Sequence, residues 1–168
     1  GPAVDPNGDV YFSDIPNNRI HKIEHASGKV SVFKEDTGGV NGLMFGPDGR
    51  LYACQNGRQR IVAYDTSGKE SVIASGMRSN DLAVTAKGEI YFTEPPARKV
   101  WFIDSKGAAR VVHEGMISPN GVRLSPDHAL LLVADYQTRW VWSFQIQDDG
   151  SLAYGLPFHR LEVPDELA

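Results

Sequence analysis

Ser118-Pro119-Asn120-Gly121-Val122-Arg123-Leu124-Ser125-Pro126-Asp127 reads as a polar hinge, a short apolar strand and a turn. The same unit stands upstream as Val40-Asn41-Gly42-Leu43-Met44-Phe45-Gly46-Pro47-Asp48-Gly49, and again as Ser79-Asn80-Asp81-Leu82-Ala83-Val84-Thr85-Ala86-Lys87-Gly88. A degenerate copy opens the chain as Gly1-Pro2-Ala3-Val4-Asp5-Pro6-Asn7-Gly8. Corresponding positions Gly1, Gly42, Asp81 and Gly121 lie 41, 39 and 40 residues apart. A period of about 40 residues with several short strands per unit marks a β-propeller or a similar array.

Each unit divides into four strands. The first holds Pro2–Asp5, Val10–Ser13, Arg19–Ile23 and Lys29–Lys34; the second Leu43–Phe45, Arg50–Cys54, Gln59–Tyr64 and Ser71–Ala74. The third holds Leu82–Thr85, Glu89–Thr93, Lys99–Ile103 and Ala109–His113; the fourth Val122–Ser125, Ala129–Ala134, Arg139–Gln147 and Ser151–Leu161. Val10 and Phe12 alternate with Tyr11 and Ser13, and Ile90 and Phe92 with Glu89 and Tyr91, the pattern of sheets packed on both faces. No window of eleven residues escapes a Gly, a Pro or a strand-type run, so no helix is expected. The expectation is an all-β chain: one partial propeller domain over 1–168, with four consecutive four-stranded blades at about 1–40, 41–79, 80–119 and 120–165. The first unit starts inside a repeat and the fourth finishes near Val163-Pro164-Asp165, so both ends are expected to be truncated.

The totals fit that reading. Seventeen glycines and ten prolines suit a fold with many tight turns. A net charge of -4 and a pI near 5.7, with no Lys/Arg cluster, argue against a nucleic-acid or anionic-membrane partner. No apolar run is long enough to span a bilayer, so the chain is expected to be soluble, with cytoplasmic and exported locations both open. The one cysteine, Cys54, lies in a strand-like run and is expected to be a buried, inert thiol.

Chemistry is sparse. His21, His25, His113, His128 and His159 show no paired metal spacing and are expected at solvated or edge positions. There is no nucleophile elbow, phosphate loop, EF-hand loop or dinucleotide fingerprint. Asp5, Asp48, Asp65, Asp104 and Asp127 sit in turns, where backbone capping accounts for them. That leaves Asn41, Asn80 and Asn120. Asn before Gly or Asp is a common turn former. In a propeller, however, the first strand of each blade lines the central channel, so the three would also form part of a ring of amide oxygens. Such oxygens, joined by one or two carboxylates, suit a hard cation such as calcium.

Three stretches together resemble the senescence-marker-protein-30/gluconolactonase family, which also takes in luciferin-regenerating-enzyme-like proteins. They are Gly1-Pro2-Ala3-Val4-Asp5 with Asp9-Val10-Tyr11-Phe12-Ser13-Asp14; Arg78-Ser79-Asn80-Asp81-Leu82 with Glu89-Ile90-Tyr91-Phe92-Thr93-Glu94-Pro95-Pro96; and Ser118-Pro119-Asn120-Gly121 with Ser125-Pro126-Asp127. The match keeps its order over the whole chain. The resemblance implies a six-bladed propeller that hydrolyses sugar lactones, with one divalent metal on the axis, usually calcium, held by a glutamate, an asparagine and an aspartate. Asn120 stands at the asparagine ligand. Asn80 stands at a second asparagine that touches the metal's water shell or the substrate. Arg78 matches an arginine that helps to hold substrate in some members.

The family's glutamate belongs just before Gly1, and its aspartate, both ligand and general base, leads the fifth blade. The chain therefore matches the neutral half of the site. It is expected to contain no catalytic residue, to hold calcium weakly or not at all, and to show negligible lactonase activity by itself. Two other readings stand beside this one. One is a non-enzymatic scaffold that self-associates through open blade edges; the other is an NHL-type binding propeller without chemistry.

Overall fold

The computed structural model describes residues 1–162. Sixteen strands form four antiparallel sheets, each of four strands hydrogen-bonded in chain order. Blade 1 is β1 (Ala3–Val4), β2 (Val10–Asp14), β3 (Arg19–Ile23) and β4 (Val30–Glu35). Blade 2 is β5 (Val40–Phe45), β6 (Leu51–Gln55), β7 (Arg60–Tyr64) and β8 (Glu70–Ser75). Blade 3 is β9 (Leu82–Val84), β10 (Ile90–Glu94), β11 (Lys99–Ile103) and β12 (Ala109–Glu114). Blade 4 is β13 (Pro119–Leu124), β14 (Leu130–Asp135), β15 (Trp140–Ile146) and β16 (Leu152–Arg160). The four-blade expectation holds. The expectation of no helix gives way at one point, a single 3-10 turn at Pro95–Ala97, where consecutive prolines fix φ for a tight turn.

The turns explain why the strands stop where they do. Asp5 Oδ1 accepts from the backbone N–H of Asn7 and Asp9 (both 2.9 Å), and Asp65 Oδ1 from Ser67 (2.8 Å) and Lys69 (3.0 Å). Asp104 takes Lys106 and Ala108 in the same way, while Asp48 caps Arg50 and Asp127 caps Ala129. Each aspartate satisfies donors that the reversing chain cannot pair in a ladder.

The core lies between blades, and the period of two assigns each residue to a seam. Leu51 and Ala53 face blade 1 with Tyr11, Ile20 and Leu43, while Tyr52 and Cys54 face blade 3 with Leu82, Ile90 and Phe92. Tyr91 turns the other way, joining Phe102, Val122, Leu131, Val133 and Phe144 between blades 3 and 4. Fully burying a large apolar side chain contributes about 1.5–3 kcal/mol, so three such seams hold the stack. β10, buried at all five residues, is its most enclosed strand together with β6. Cys54 is 0% exposed, and burial pushes its thiol well above the usual range, as an inert cysteine requires.

Candidate functional site

The innermost strands β1, β5, β9 and β13 adjoin one another in chain order, with Asn41 in β5, Asn80 just ahead of β9 and Asn120 in β13. Sequence reading sets Asn41 and Asn120 ahead of their strands. The structure places both inside, where the β5–β6 register shifts between Val40 and Leu43 and the β13–β14 register between Pro119 and Val122. The Asn-Gly pair is thus the extra length of a β-bulge, a device that re-aims a side chain while the ladder continues. Neither Gly42 nor Gly121 has a positive φ, so the pair is not the left-handed turn that Asn-Gly suggests. In blade 3, Asn80 and Asp81 precede the shorter β9 but pair with β10 through Asn80 N–Thr93 O (2.8 Å) and Thr93 N–Asp81 O (3.0 Å).

The asparagine carbonyls stitch the blades together. Asn41 O accepts from Gly1 N and Ser13 Oγ (both 2.8 Å), Asn80 O from Gly42 N (3.0 Å), and Asn120 O from Thr93 Oγ1 (2.5 Å). The side chains are left out of this work. Among the described residues none of the three amides donates or accepts a hydrogen bond, and all three are half-buried.

The backbone around Asn80 is fixed at every residue. Arg78 N donates to Glu94 Oε1 (2.8 Å), Ser79 O accepts from Asn56 Nδ2 (3.0 Å), and the fully buried Ser79 gives its Oγ to Arg60 O (3.4 Å). Arg78 itself is exposed, and its guanidinium has no acidic partner among the described residues. Ahead of Asn120, Ile117 N and Ser118 N donate to Asp135 (2.8 and 3.1 Å), and Tyr136 N returns to Ser118 O (2.9 Å). Asn120 then opens on a recess lined by Gly121, Ala134, Tyr136, Gln137 and Trp140. Rigid backbone and uncommitted polar side chains are what a preorganised binding site needs.

Three carboxylates escaped the sequence reading as participants. Asp81, 14% exposed at its side chain, accepts on Oδ2 from Val122 N (3.1 Å) and Arg123 Nη1 (3.4 Å), while Oδ1 is buried beside Gly42 without a partner among the described residues. Arg123 spreads further bonds to Leu82 O (3.3 Å) and Val122 O (2.9 Å). Glu94 (8% exposed) and Asp135 (3%) are the clamps just described. A signal for the clamps was present: Asp14, Gln55, Glu94 and Asp135 close the second strand of each blade, 41, 39 and 41 residues apart.

The histidines do not form a site. His25 and His159 are exposed as expected, and His128 Nδ1 accepts from Ala86 N (3.3 Å). His21 departs from the expectation: its ring stacks on Phe12 (5.2 Å, 18°) and lies 3.3 Å from Asp14 Oδ2. His113 is half-buried 4.6 Å from the Phe144 ring, and burial holds its pKa below the ordinary imidazole value. No group of three or more His, Cys, Asp or Glu among the described residues could hold a metal. The residues that the family resemblance places at this end offer neutral amide oxygens. They fit a hard ion such as calcium by type but supply none of the charge that tightens its binding.

Residues 1–165 match the sequence model of the family described as SMP-30/Gluconolactonase/LRE-like region. A gluconolactonase of Zymomonas mobilis is 27% identical over 89% of this chain and 52% of its own length. The lactonase drp35 of Staphylococcus haemolyticus is 26% identical over 89% of this chain and 51% of its length. Among solved structures, a gluconolactonase from Xanthomonas campestris superposes with a TM-score of 0.86 at 26% identity, over 98% of this chain and 63% of that one. The chain spans about half the length of the curated relatives it matches.

Proposed function

This chain belongs to the SMP-30/gluconolactonase/LRE-like family, and on that footing we propose that it carries the neutral-donor part of a metal-dependent sugar-lactone hydrolase site. The observation that supports this is the pair of uncommitted amides, Asn80 and Asn120, held at one end of adjacent inner strands on backbone that is hydrogen-bonded on both sides. Asn120 would hold a divalent cation, calcium by donor type, with Asn80 at its water shell or at the substrate. When bound, the ion supplies Lewis-acid polarisation of a lactone carbonyl.

The chain's own residues would bind and orient. Arg78, exposed and free of acidic partners, would donate to the oxygens of a sugar lactone entering over the inner end. Asn80, two residues on, would fix the ring with both a donor and an acceptor. The nearby carboxylates are engaged in holding the backbone: Asp81 Oδ2 accepts from Val122 and Arg123, Glu94 from Arg78 and Trp101, and Asp135 from Ile117 and Ser118. The carboxylate that activates water must come from elsewhere in a complete enzyme.

Calcium titration monitored by thermal unfolding tests this reading. At a concentration tenfold above Kd, binding raises stability by about 1.4 kcal/mol, and Asn120→Ala should abolish that gain. No calcium-dependent shift in the unsubstituted chain at tens of millimolar would remove the metal from the proposal. Calcium-dependent gluconolactone hydrolysis by the chain alone would overturn the assignment of its carboxylates to structural work.

We also propose a second reading, self-association, which one feature favours. The outermost strand of blade 4, β16, shows Tyr154 (73% exposed), Leu156 (62%) and Phe158 (62%), a long edge with apolar residues at alternate positions. Light scattering over a hundredfold range of concentration decides it, since a constant monomer mass would refute pairing.

A further inference from the structure

Glu94 and Asp135 are buried acids with the same job in successive blades. Glu94 ends β10 and receives Arg78 N on Oε1 (2.8 Å) and the indole Nε1 of Trp101 on Oε2 (2.9 Å). Asp135 ends β14 and receives Ile117 N on Oδ2 (2.8 Å) and Ser118 N on Oδ1 (3.1 Å), with Thr138 N more distant at 3.4 Å. Each carboxylate therefore grips the segment that delivers an asparagine: Arg78-Ser79-Asn80 in one case, Ile117-Ser118-Pro119-Asn120 in the other.

A purely architectural device should recur in every blade, and this one does not. Gln55 holds the same place in blade 2, yet its Nε2 donates to Tyr64 Oη (2.9 Å) and Glu70 Oε2 (2.7 Å), and its Oε1 is buried without a partner among the described residues. The segment before Asn41 is held from the neighbouring blade, Gly39 N and Thr37 Oγ1 both donating to Asn18 Oδ1 (2.8 and 3.2 Å). Carboxylate clamps thus coincide with the two asparagines assigned to the site and skip the third. Only a carboxylate suits them, because two donors approach from different directions and an amide offers one acceptor atom.

We propose that Glu94 and Asp135 are positioning residues, which set the height of Arg78-Asn80 and of Asn120 through the backbone N–H groups they hold. This rests on the assignment of Asn80 and Asn120 to the site. The geometry makes a specific demand. In Glu94→Gln the introduced amide has one oxygen for two donors, so its NH2 meets either Arg78 N–H or the indole N–H of Trp101. Trp101→Phe removes the indole donor while leaving a ring to stack on Phe92, which Trp101 overlies at 5.9 Å and 3°. The second substitution should therefore rescue the first.

The experiment compares the unsubstituted chain, Glu94→Gln, Trp101→Phe, the double variant and Asp135→Asn, by amide hydrogen exchange and calcium titration. Exchange at the Arg78 amide or at the Trp101 indole N–H should rise about tenfold in Glu94→Gln, and the Arg78 amide should exchange near the parent rate in the double variant. Asp135→Asn should release Ile117 or Ser118 and leave Arg78 unchanged. Calcium affinity should fall in step with exchange, including its recovery in the double variant. Unchanged exchange at both the Arg78 amide and the Trp101 indole in Glu94→Gln, or an Arg78 rise that Trp101→Phe does not recover, overturns the clamp. Altered exchange with unaltered calcium affinity overturns positioning. A parent chain that does not bind calcium sinks the metal reading, while the exchange pattern still decides the clamp.

Discussion

Gly42→Ala and Gly121→Ala make the same change in the same Asn-Gly pair, and the structure assigns them opposite fates. A Cβ on Gly42 would stand 2.5 Å from Asp81 Oδ1, 2.6 Å from Asp81 Cα and 2.9 Å from Asn80 O. Two of those three atoms are backbone, on a segment tied to β10 and to Glu94, so no rotamer change relieves the contact. A Cβ on Gly121 meets nothing nearer than Ala134 Cβ and Asp81 Oδ2, both at 3.9 Å, which is ordinary contact. Overpacking of a fixed site costs about 1–3 kcal/mol, and Gly42→Ala belongs at the upper end. Gly121→Ala should fall within ~0.5 kcal/mol of the parent, since neither glycine needs a left-handed backbone. In a domain of this size the first corresponds to roughly 5–10 °C in Tm. Urea unfolding with the m-value checked for constancy measures both. Adding Asp81→Gly removes the Oδ1 contact but leaves the two backbone contacts and deletes the bonds to Val122 N and Arg123, so it should not restore the loss. Equal effects of the two alanines, or full restoration by Asp81→Gly, would refute the argument that Gly42 is a point of close approach between blades.

Asn80→Ala and Asn120→Ala, measured without calcium, should cost less than about 0.5 kcal/mol, because neither amide has a partner to lose; a loss several-fold larger in chemical denaturation would show that the amides hold the fold. Cys54→Ser should stay within about 1 kcal/mol of the parent, since Ser13 and Thr93 occupy the matching position of β2 and β10 and give their hydroxyls to the next blade's asparagine carbonyl. Cys54 should also resist a thiol reagent until the chain unfolds. His113, its folded pKa depressed by burial, binds its proton less readily than the unfolded chain does, so its contribution is present above the unfolded value and is lost as pH falls through that value towards the folded pKa. Tm should therefore drop as pH falls from 7.5 through the imidazole range, and His113→Leu should flatten the drop; an unchanged slope in that variant would exclude it as the source.

The blade count was legible because a propeller repeats its grammar. The Asp-x-x-Gly turns at Asp5, Asp65 and Asp104 and the Asp-Gly turn at Asp48 carry a side-chain cap that makes the strand end local chemistry, and the period of two in Leu51-Tyr52-Ala53-Cys54 already separates the two seams the strand faces. The asparagines were legible as repeated residues, and their family context singled out Asn80 and Asn120 from Asn41. Their exact backbone setting was not legible. Asn-Gly is shared by tight turns and by bulges, and only the register against β6 and β14 tells them apart. Asp81 was harder still, because its meaning depends on glycines from other repeats: Gly42 leaves the space that its Cα and Oδ1 fill.

Asp81 also shows how the site divides its labour. At the residue after each asparagine, two repeats carry glycine, Gly42 and Gly121, and one carries a carboxylate, Asp81, whose Cα and Oδ1 take the space a Cβ on Gly42 would need. That side chain binds blade 4 through Val122 N and Arg123, and packs against blade 2 at Gly42. The three blades that bear the asparagines are thereby locked by a group that takes nothing from the asparagine amides. Inter-blade bonds fall to carbonyls, hydroxyls and Asp81; under the proposed reading loop height falls to Glu94 and Asp135, and Asn80, Asn120 and Arg78 keep their polar atoms for a ligand. Were the amides also needed for cohesion, binding an ion would have to break structural bonds first, at about 0.5–1.5 kcal/mol each. Under that reading, their idleness in the folded chain is what would let a weak set of neutral donors bind.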